Sequence, residues 1–297
     1  VRVSTISTYL TTSQSLGNAL ERVQNSQTQI ASGKVLTRWS DDAPAAASAE
    51  RYRAQEADWS SYQRSGSDAK SWLGAADSAL QSMSSILARV KELSVSATSG
   101  ALTSTSRTAI ADEVDQLRTE LRDLGNTTHL GRSLFGGFGA TALSTDASGV
   151  VSFAGDAGSL QRQISPTTTL AVNVSANDVF GFKGGAGEDL FSTLSALSTA
   201  VRSGDSAALA TGQTTLQNRQ ADVLRALGTV GSTTNRVDAA SDAGNVSLQD
   251  LATRRSQLED VDLADAVLKL NQAQAGYTAA LGAASKANLP SLADFLK

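Results

Sequence analysis

Only three prolines interrupt this 297-residue chain, at Pro44, Pro166 and Pro290. Proline removes a backbone donor and clashes with the preceding turn, so it breaks helix interiors. The wide gaps between the three leave room for very long helices. Apolar residues at alternating steps of three and four fill those gaps, the stripe of a helix that packs lengthwise on another. One seam starts behind Pro44 and passes through Ala45, Trp59, Ala69, Leu80 and Val90 to Ala97, where Ser99-Gly100 supplies breakers. It predicts about 54 residues of helix, roughly 80 Å at 1.5 Å per residue. Ser40, Asp41 and Asp42 ahead of Pro44 read as its start, an acidic cap with proline in the first turn.

Shorter helices follow the same logic. Ile110, Val114, Leu117, Leu121 and Leu124 are in step and end near Gly125-Asn126, a C-cap pair. From about Glu188, Leu190, Leu194, Leu197 and Val201 form another stripe, and after Gly204-Asp205 the longest seam runs from Leu209 to Leu258. Between these helical stretches the period changes. Glycine is dense from Gly131 to Gly187, and Val150, Val151, Phe153 and Leu170 to Val174 read as short strands.

The two ends carry helices of one kind. Tyr9, Leu16, Leu20, Val23 and Ile30 form a 3,4 seam, with Ser13 and Gln27 in the remaining slots. Leu263, Val267, Leu270, Tyr277, Leu281 and Ala284 do the same, with Gln274 as the polar exception. Between Val1 and Gly33 the only charges are Arg2, Glu21 and Arg22, so this helix needs partners on more than one side. The long seam would next fall on Asp262, but the apolar register resumes one residue later, at Leu263. A one-residue skip turns the stripe by about 100°. Glu259, Asp260, Val261 and Asp262 are therefore read as a joint between two helical modules.

These elements predict a mainly α fold. The N- and C-terminal segments form a long antiparallel helical bundle or coiled coil, with a small mostly β domain inserted at its tip. Residues 1–39 and 263–297 are the paired terminal helices, 40–130 with 188–262 the bundle, and 131–187 the insert.

The inventory for chemistry is thin. His129 is the single histidine and there is no cysteine. A histidine metal site or a Ser-His-Asp triad therefore has nothing spare to build with. At a helix-to-loop junction, His129 reads as a turn residue. Asp41-Asp42 reads as a cap, and Asp260 and Asp262 as cap or hinge residues. Gly136-Gly137-Phe138-Gly139 lacks the Lys-Ser/Thr of a phosphate loop and reads as a tight entry into the insert. Trp59, Tyr62 and Trp72 read as core, Trp39 as a staple onto the following helix, and Phe135 as the anchor of the chain reversal. No catalysis and no cofactor are expected. A net charge of −4 with no long basic run argues against nucleic acid. No stretch approaches the roughly 20 apolar residues of a membrane span. VRVSTISTYL lacks the apolar core and cleavage site of a secretory signal, which predicts that any export uses a route reading no cleavable signal.

Several islands together resemble the flagellar hook-filament junction family (hook-associated protein 3) of the flagellin superfamily. They are Arg2-Val3-Ser4-Thr5, then Ser32-Gly33-Lys34 with Ser40-Asp41-Asp42 and Pro44, and Asn126 followed by Gly131-Arg132-Ser133-Leu134-Phe135-Gly136-Gly137. The C-terminal islands are Asp260-Val261-Asp262-Leu263-Ala264, Gln274, Tyr277 and Ser291 to Leu296. Trp39, where the family has proline, Ala43, which displaces Pro44 by one, and Ser133, in place of an aromatic, depart from the pattern. The resemblance implies a structural subunit that forms a ring with copies of itself, between hook-associated protein 1 and the flagellin filament. It also implies an export chaperone, exit through the flagellar type III channel, and an extracellular place on the flagellum. Flagellin itself is the alternative within the superfamily.

Overall fold

The computed structural model describes residues 2–98, 102–184 and 188–287. Ser99-Gly100, Gly187, Pro290 and the tail Ser291 to Leu296 lie outside the described residues. Helix α1 (Arg2–Ser32) is followed by α2 (Ala43–Ala97) and α3 (Ser104–Gly125). Short strands come next: β1 (Thr128–His129), β2 (Arg132–Ser133), β3 (Leu143–Thr145), β4 (Val151–Phe153), β5 (Gln161–Ser165) and β6 (Thr168–Ala171). Then come α4 (Ala176–Val179), a 3-10 turn (Phe182–Gly184), α5 (Leu190–Ser203), α6 (Ser206–Glu259) and α7 (Leu263–Ala287). Helices α2 and α6 run for 55 and 54 residues, as the proline-free gaps allow.

Aspartates start the helices where the sequence places them. Asp42 Oδ1 accepts from the Ala45 amide at 3.0 Å, Asp189 Oδ1 from Ser192 at 2.9 Å, and Asp205 Oδ1 from Ala207 and Ala208 at 3.0 Å each. Gly204 closes α5 at φ 72°, the left-handed conformation that glycine adopts freely.

The chain forms two compact units, Val1–Asp58 with Ser247–Lys297, and Trp59–Val246. In the second unit α2 and α6 run antiparallel. Gln63 Nε2 donates to Asn245 Oδ1 at 2.7 Å, Lys70 pairs with Asp238 at 2.8 Å, and Gln213 Nε2 donates to the Ser94 carbonyl at 3.0 Å. Their predicted seams are the buried faces: Leu73, Leu80, Met83, Leu87 and Val90 on one helix, Leu209, Leu216, Val223, Val230 and Val237 on the other. Gln213 shows how a polar residue sits in such a seam without penalty, by satisfying a backbone carbonyl. Helix α3 packs on α5, where Ser198 Oγ donates to Asp115 Oδ2 at 3.0 Å and Arg202 pairs with Asp112 and Asp115.

The insert departs from an independent sheet. Among the described residues, the insert and the strand β1 just before it form three separate two-stranded antiparallel hairpins, β1-β2, β3-β4 and β5-β6. Isolated hairpins are marginal in water. These bury Leu134, Phe135, Leu143, Leu160, Ile164 and Leu170 in the same apolar cluster as α2, α3, α5 and α6. The strand expected to reach Val174 stops at Ala171. Beyond it the Asn173 side chain takes over, accepting from the Leu160 amide at 2.7 Å and donating to the Gly158 carbonyl at 2.8 Å. Phe180, Phe182 and Phe191 pack together, with centroids 5.1 to 6.5 Å apart.

Gly125 is not the left-handed glycine of a C-cap; it is the last helical residue of α3, and Asn126 is the cap. A Cβ on Gly125 would lie 2.4 Å from Leu143 Cδ1 and 2.9 Å from Phe180 Cζ, so close packing demands the glycine. Asn126 continues the work by accepting from the amides of Ala142 and Leu143 and donating to the Leu143 carbonyl, which pins β3 to the end of α3.

Candidate functional site

In the first unit α1 and α7 pack side by side. They run antiparallel, since Gly33 meets Val261 while Asn25 and Ser26 line a common pocket with Gln272 and Ala273. The covered face of α1 carries Leu16, Ala19, Val23, Ser26 and Ile30, buried or half-buried, at steps of three and four. That of α7 carries Ala266, Leu270, Ala273, Tyr277, Ala280 and Ala284 in the same rhythm.

Some residues of the predicted seam lie on this stripe and others lie beside it. Leu16, Val23, Ile30, Leu270 and Tyr277 lie on it. Leu20 (41% exposed), Leu263 (58%), Val267 (46%) and Leu281 (42%) do not, and Tyr9 is 60% exposed. Ala19 and Ala266 take the buried slots beside Leu20 and Val267. A pair of helices covers one face of each, and small side chains let the backbones approach. The larger apolar residues one position over are left in water. Periodicity could not separate Ala19 from Leu20, because both are apolar and adjacent. The result is two neighbouring stripes on each helix, one covered by the partner helix and one open.

The helical path breaks where the register skips. Helix α6 ends at Glu259, and Asp262 caps α7 by accepting from the amides of Ala264 at 2.9 Å and Asp265 at 3.3 Å. The intervening backbone pairs with the end of α1. The Val35 amide donates to the Glu259 carbonyl at 2.6 Å, the Val261 amide to the Gly33 carbonyl at 2.9 Å, and Lys34 bridges Asp260 antiparallel.

Glu259 is 2% exposed. Lys34 Nζ lies 2.5 Å from its Oε2, Arg255 Nη1 3.6 Å from the same atom, and Arg53 Nη2 2.6 Å from Oε1. Arg53 is thus the cation at Oε1, while Lys34 and Arg255 share Oε2. Burial pushes the carboxyl pKa up; the hydrogen bond and charge of Lys34, with Arg53 beside it, outweigh burial and hold it below its ordinary value. Nothing in the residue spacing announced Arg53 as a partner. Lys34 stood in the Ser32-Gly33-Lys34 island, which was the one available signal.

The loop before α2 is built on the adjacent aspartates, which divide the labour. Asp42 caps α2, and Pro44 sits in its first turn. Asp41 Oδ2 accepts from the amides of Thr37 and Arg38 and from the Thr37 hydroxyl. The Arg38 amide, then the Thr37 hydroxyl, draw the Asp41 pKa below its ordinary value. Ser40 is exposed, and so is Trp39, at 65%. Trp39 therefore does not staple onto α2; the tight turn under Asp41 aims it away.

At the entry to the insert, Leu130 (φ 51°) and Gly131 (φ 77°) form the two-residue hairpin tip that positive φ at both positions requires. Arg132 is exposed on β2, while Leu134 and Phe135 are fully buried, so Phe135 anchors the reversal. The Gly136 amide donates to Ser133 Oγ at 3.0 Å, and a Cβ on Gly137 (φ 69°) would lie 2.2 Å from Asp156 Oδ1. His129 sits in the hairpin, with Nε2 3.2 Å from Ser71 Oγ and its ring edge-on to the buried Trp72. Trp59 and Tyr62 are half-buried and pack edge-to-face at 5.8 Å. The arrangement offers exposed apolar surface and fixed turns. Among the described residues no cluster of acidic and histidine side chains could hold a metal ion, and no helix is long and apolar enough to cross a membrane.

Comparison with known proteins matches both ends. The model of the bacterial flagellin N-terminal helical region matches residues 3–139, and that of the bacterial flagellin C-terminal helical region matches 213–296. Flagellar hook-associated protein 3 of Escherichia coli (strain K12) is 26% identical over an alignment of 277 positions that covers 84% of this chain and 87% of that protein. The flagellar filament 30.7 kDa core protein of Treponema maltophilum is 24% identical over 261 residues, 87% of this chain and 86% of that protein. Flagellins of Vibrio and Clostridium match at 27% to 30% identity, and the matched part covers only 38% to 40% of their length. The solved structure of flagellar hook associated protein-3 from Legionella pneumophila has the same fold. It superimposes with a TM-score of 0.64 at 15% identity, covering 70% of this chain and 98% of that one.

Proposed function

We propose that this chain, which belongs to the flagellin superfamily, is a structural subunit of the junction between the flagellar hook and its filament. The observation that carries the reading is the match with hook-associated protein 3 over 84% of this chain and 87% of that protein, whereas the flagellin family models stop at residue 139 and resume at 213. In this role the chain forms a ring with copies of itself, meets hook-associated protein 1 on one side and flagellin on the other, and works outside the cell. It travels there through the flagellar export channel, accompanied beforehand by a chaperone.

The terminal helices are the assembly module. Leu16, Val23, Ile30, Leu270 and Tyr277 hold the pair together, and Leu20, Leu263, Val267 and Leu281 provide the open stripe for neighbouring subunits. Covering such a stripe contributes roughly 25 cal/mol per Å² of apolar area, a driving force that exists only in the polymer.

A filament subunit is the second reading, favoured by the equally long match with the Treponema core protein. Immunogold labelling of intact flagella, with deletion of the gene, separates the two. The junction role predicts a single labelled band where hook meets filament, and bare hooks with flagellin monomer in the medium after deletion. Label along the whole filament would overturn it in favour of the filament subunit.

A further inference from the structure

We propose that Glu259 is a carboxylate latch, one buried side chain that holds the break between α6 and α7 shut against the loop joining α1 to α2. The device is a property of this chain's own joint and stands whether or not the chain is a junction subunit.

The position is unfavourable for an acid in itself. Glu259 is the last residue of α6, where the helix macrodipole presents its negative end and favours cations. It is also buried, which penalises the ionised form. An acid is sustained there because cations reach it from separate segments: Lys34 from the loop, Arg53 from α2 and Arg255 from α6. Arg255 is held in turn by Glu56 of α2 at 3.1 Å, and Arg53 by Glu50 at 3.3 Å. Of the other acids at the break, Asp260 accepts from Ser256 Oγ at 2.6 Å and Asp262 is taken up in capping α7. The backbone contribution to the joint is small, two amide bonds around the Lys34–Asp260 bridge. So short a ladder is marginal by itself. The side chain of Glu259 is what ties the loop, α2 and α6 to one point.

Neutralising it has a specific consequence. With the carboxylate gone, the partly exposed Lys34, Arg53 and Arg255 lose their common counter-charge, and the loop, α2 and α6 lose the point that ties them together. Because the folded carboxyl titrates below its ordinary value, the latch is fully formed above the ordinary carboxylate range. It is lost as pH falls through the depressed folded value.

Amide hydrogen exchange on the full chain tests the latch. Glu259→Gln is expected to speed exchange at the Val35 and Val261 amides by at least about tenfold, while Leu197 and Val230 in the other unit keep wild-type rates. Adding Lys34→Gln removes one unbalanced cation and is expected to recover part of the protection, which a purely steric role for Glu259 would not produce. Wild-type rates at Val35 and Val261 in Glu259→Gln would overturn the proposal, as would a double variant no slower than the single one. Should Glu259→Gln unfold the terminal helices outright, the wild-type chain decides. Its exchange at those two amides, corrected for intrinsic rates, is expected to accelerate only below the ordinary carboxylate range, and acceleration already near neutral pH would refute the latch.

Discussion

Replacing Gly125 by alanine sets two known effects against each other. In a helix, Gly→Ala ordinarily stabilises by about 0.4–1 kcal/mol, because the unfolded chain loses freedom. Gly125 has helical backbone geometry, so that gain is available. The new Cβ, however, would stand 2.4 Å from Leu143 Cδ1 and 2.9 to 3.0 Å from two atoms of the Phe180 ring. Leu143 can swing a methyl aside. Phe180 cannot move so easily, being fully buried against Phe182 and Phe191. Overpacking of this kind costs about 1–3 kcal/mol. The net expectation is a loss of about 1–2 kcal/mol, and in a unit of this size each kcal/mol lowers Tm by about 2–4 °C. Thermal unfolding followed by circular dichroism should therefore show a fall of about 2–8 °C. A double-mutant cycle sharpens the test. With Phe180→Leu already in place the ring atoms that obstruct the new Cβ are gone, so the two substitutions should couple by about 1 kcal/mol. A raised Tm for Gly125→Ala alone, or strict additivity in the cycle, would show that close approach is not why glycine stands there.

Asp262→Ala should remove the cap of α7 at a cost of about 1 kcal/mol, visible as faster hydrogen exchange at Ala264 and Asp265. Asp41 should titrate below the ordinary aspartate range in a carbon-detected NMR titration; its stabilisation of the loop is present above that range and lost as pH falls through the folded value, and Asp41→Asn should abolish the acid dependence. Leu20→Glu, on the open stripe, should change monomer Tm by no more than about 0.5 kcal/mol equivalent yet prevent filament attachment, whereas Val23→Glu should loosen the α1–α7 pair itself; equal effects of the two on the monomer would show that the stripes are not distinct.

The long helices were legible because their signal is repeated many times. From Leu73 to Val90 and from Leu209 to Val237 each apolar slot votes for the same face, so occasional polar residues such as Gln213 do not disturb the pattern. The joint was legible as a defect in that repetition. The choice between Ala19 and Leu20 was not, since it depends on how closely two backbones approach, a quantity fixed by the partner helix. Trp39 was misjudged for a similar reason. Its sequence context fits a staple, but the hydrogen bonds gathered by Asp41 turn the chain the other way. Gly125 was placed at a helix end correctly and for the wrong cause, because Leu143 and Phe180 lie far from it in sequence. The Glu259 cluster brings Lys34 and Arg53 to a residue more than 200 positions away, which no local pattern encodes.

The shared apolar cluster of the second unit has a bearing on engineering. The middle segment is not an exchangeable cassette. Here, excising residues 131–187 would strip Leu134, Phe135, Leu160 and Phe180 from the faces of α2, α3, α5 and α6, leaving an uncovered oily wall. Foreign epitopes belong instead in the exposed turn at Asp146 to Gly149, where the hairpin β3-β4 reverses, provided Asp146 is kept, because its carboxylate accepts from the Ser148 and Val150 amides and closes the turn.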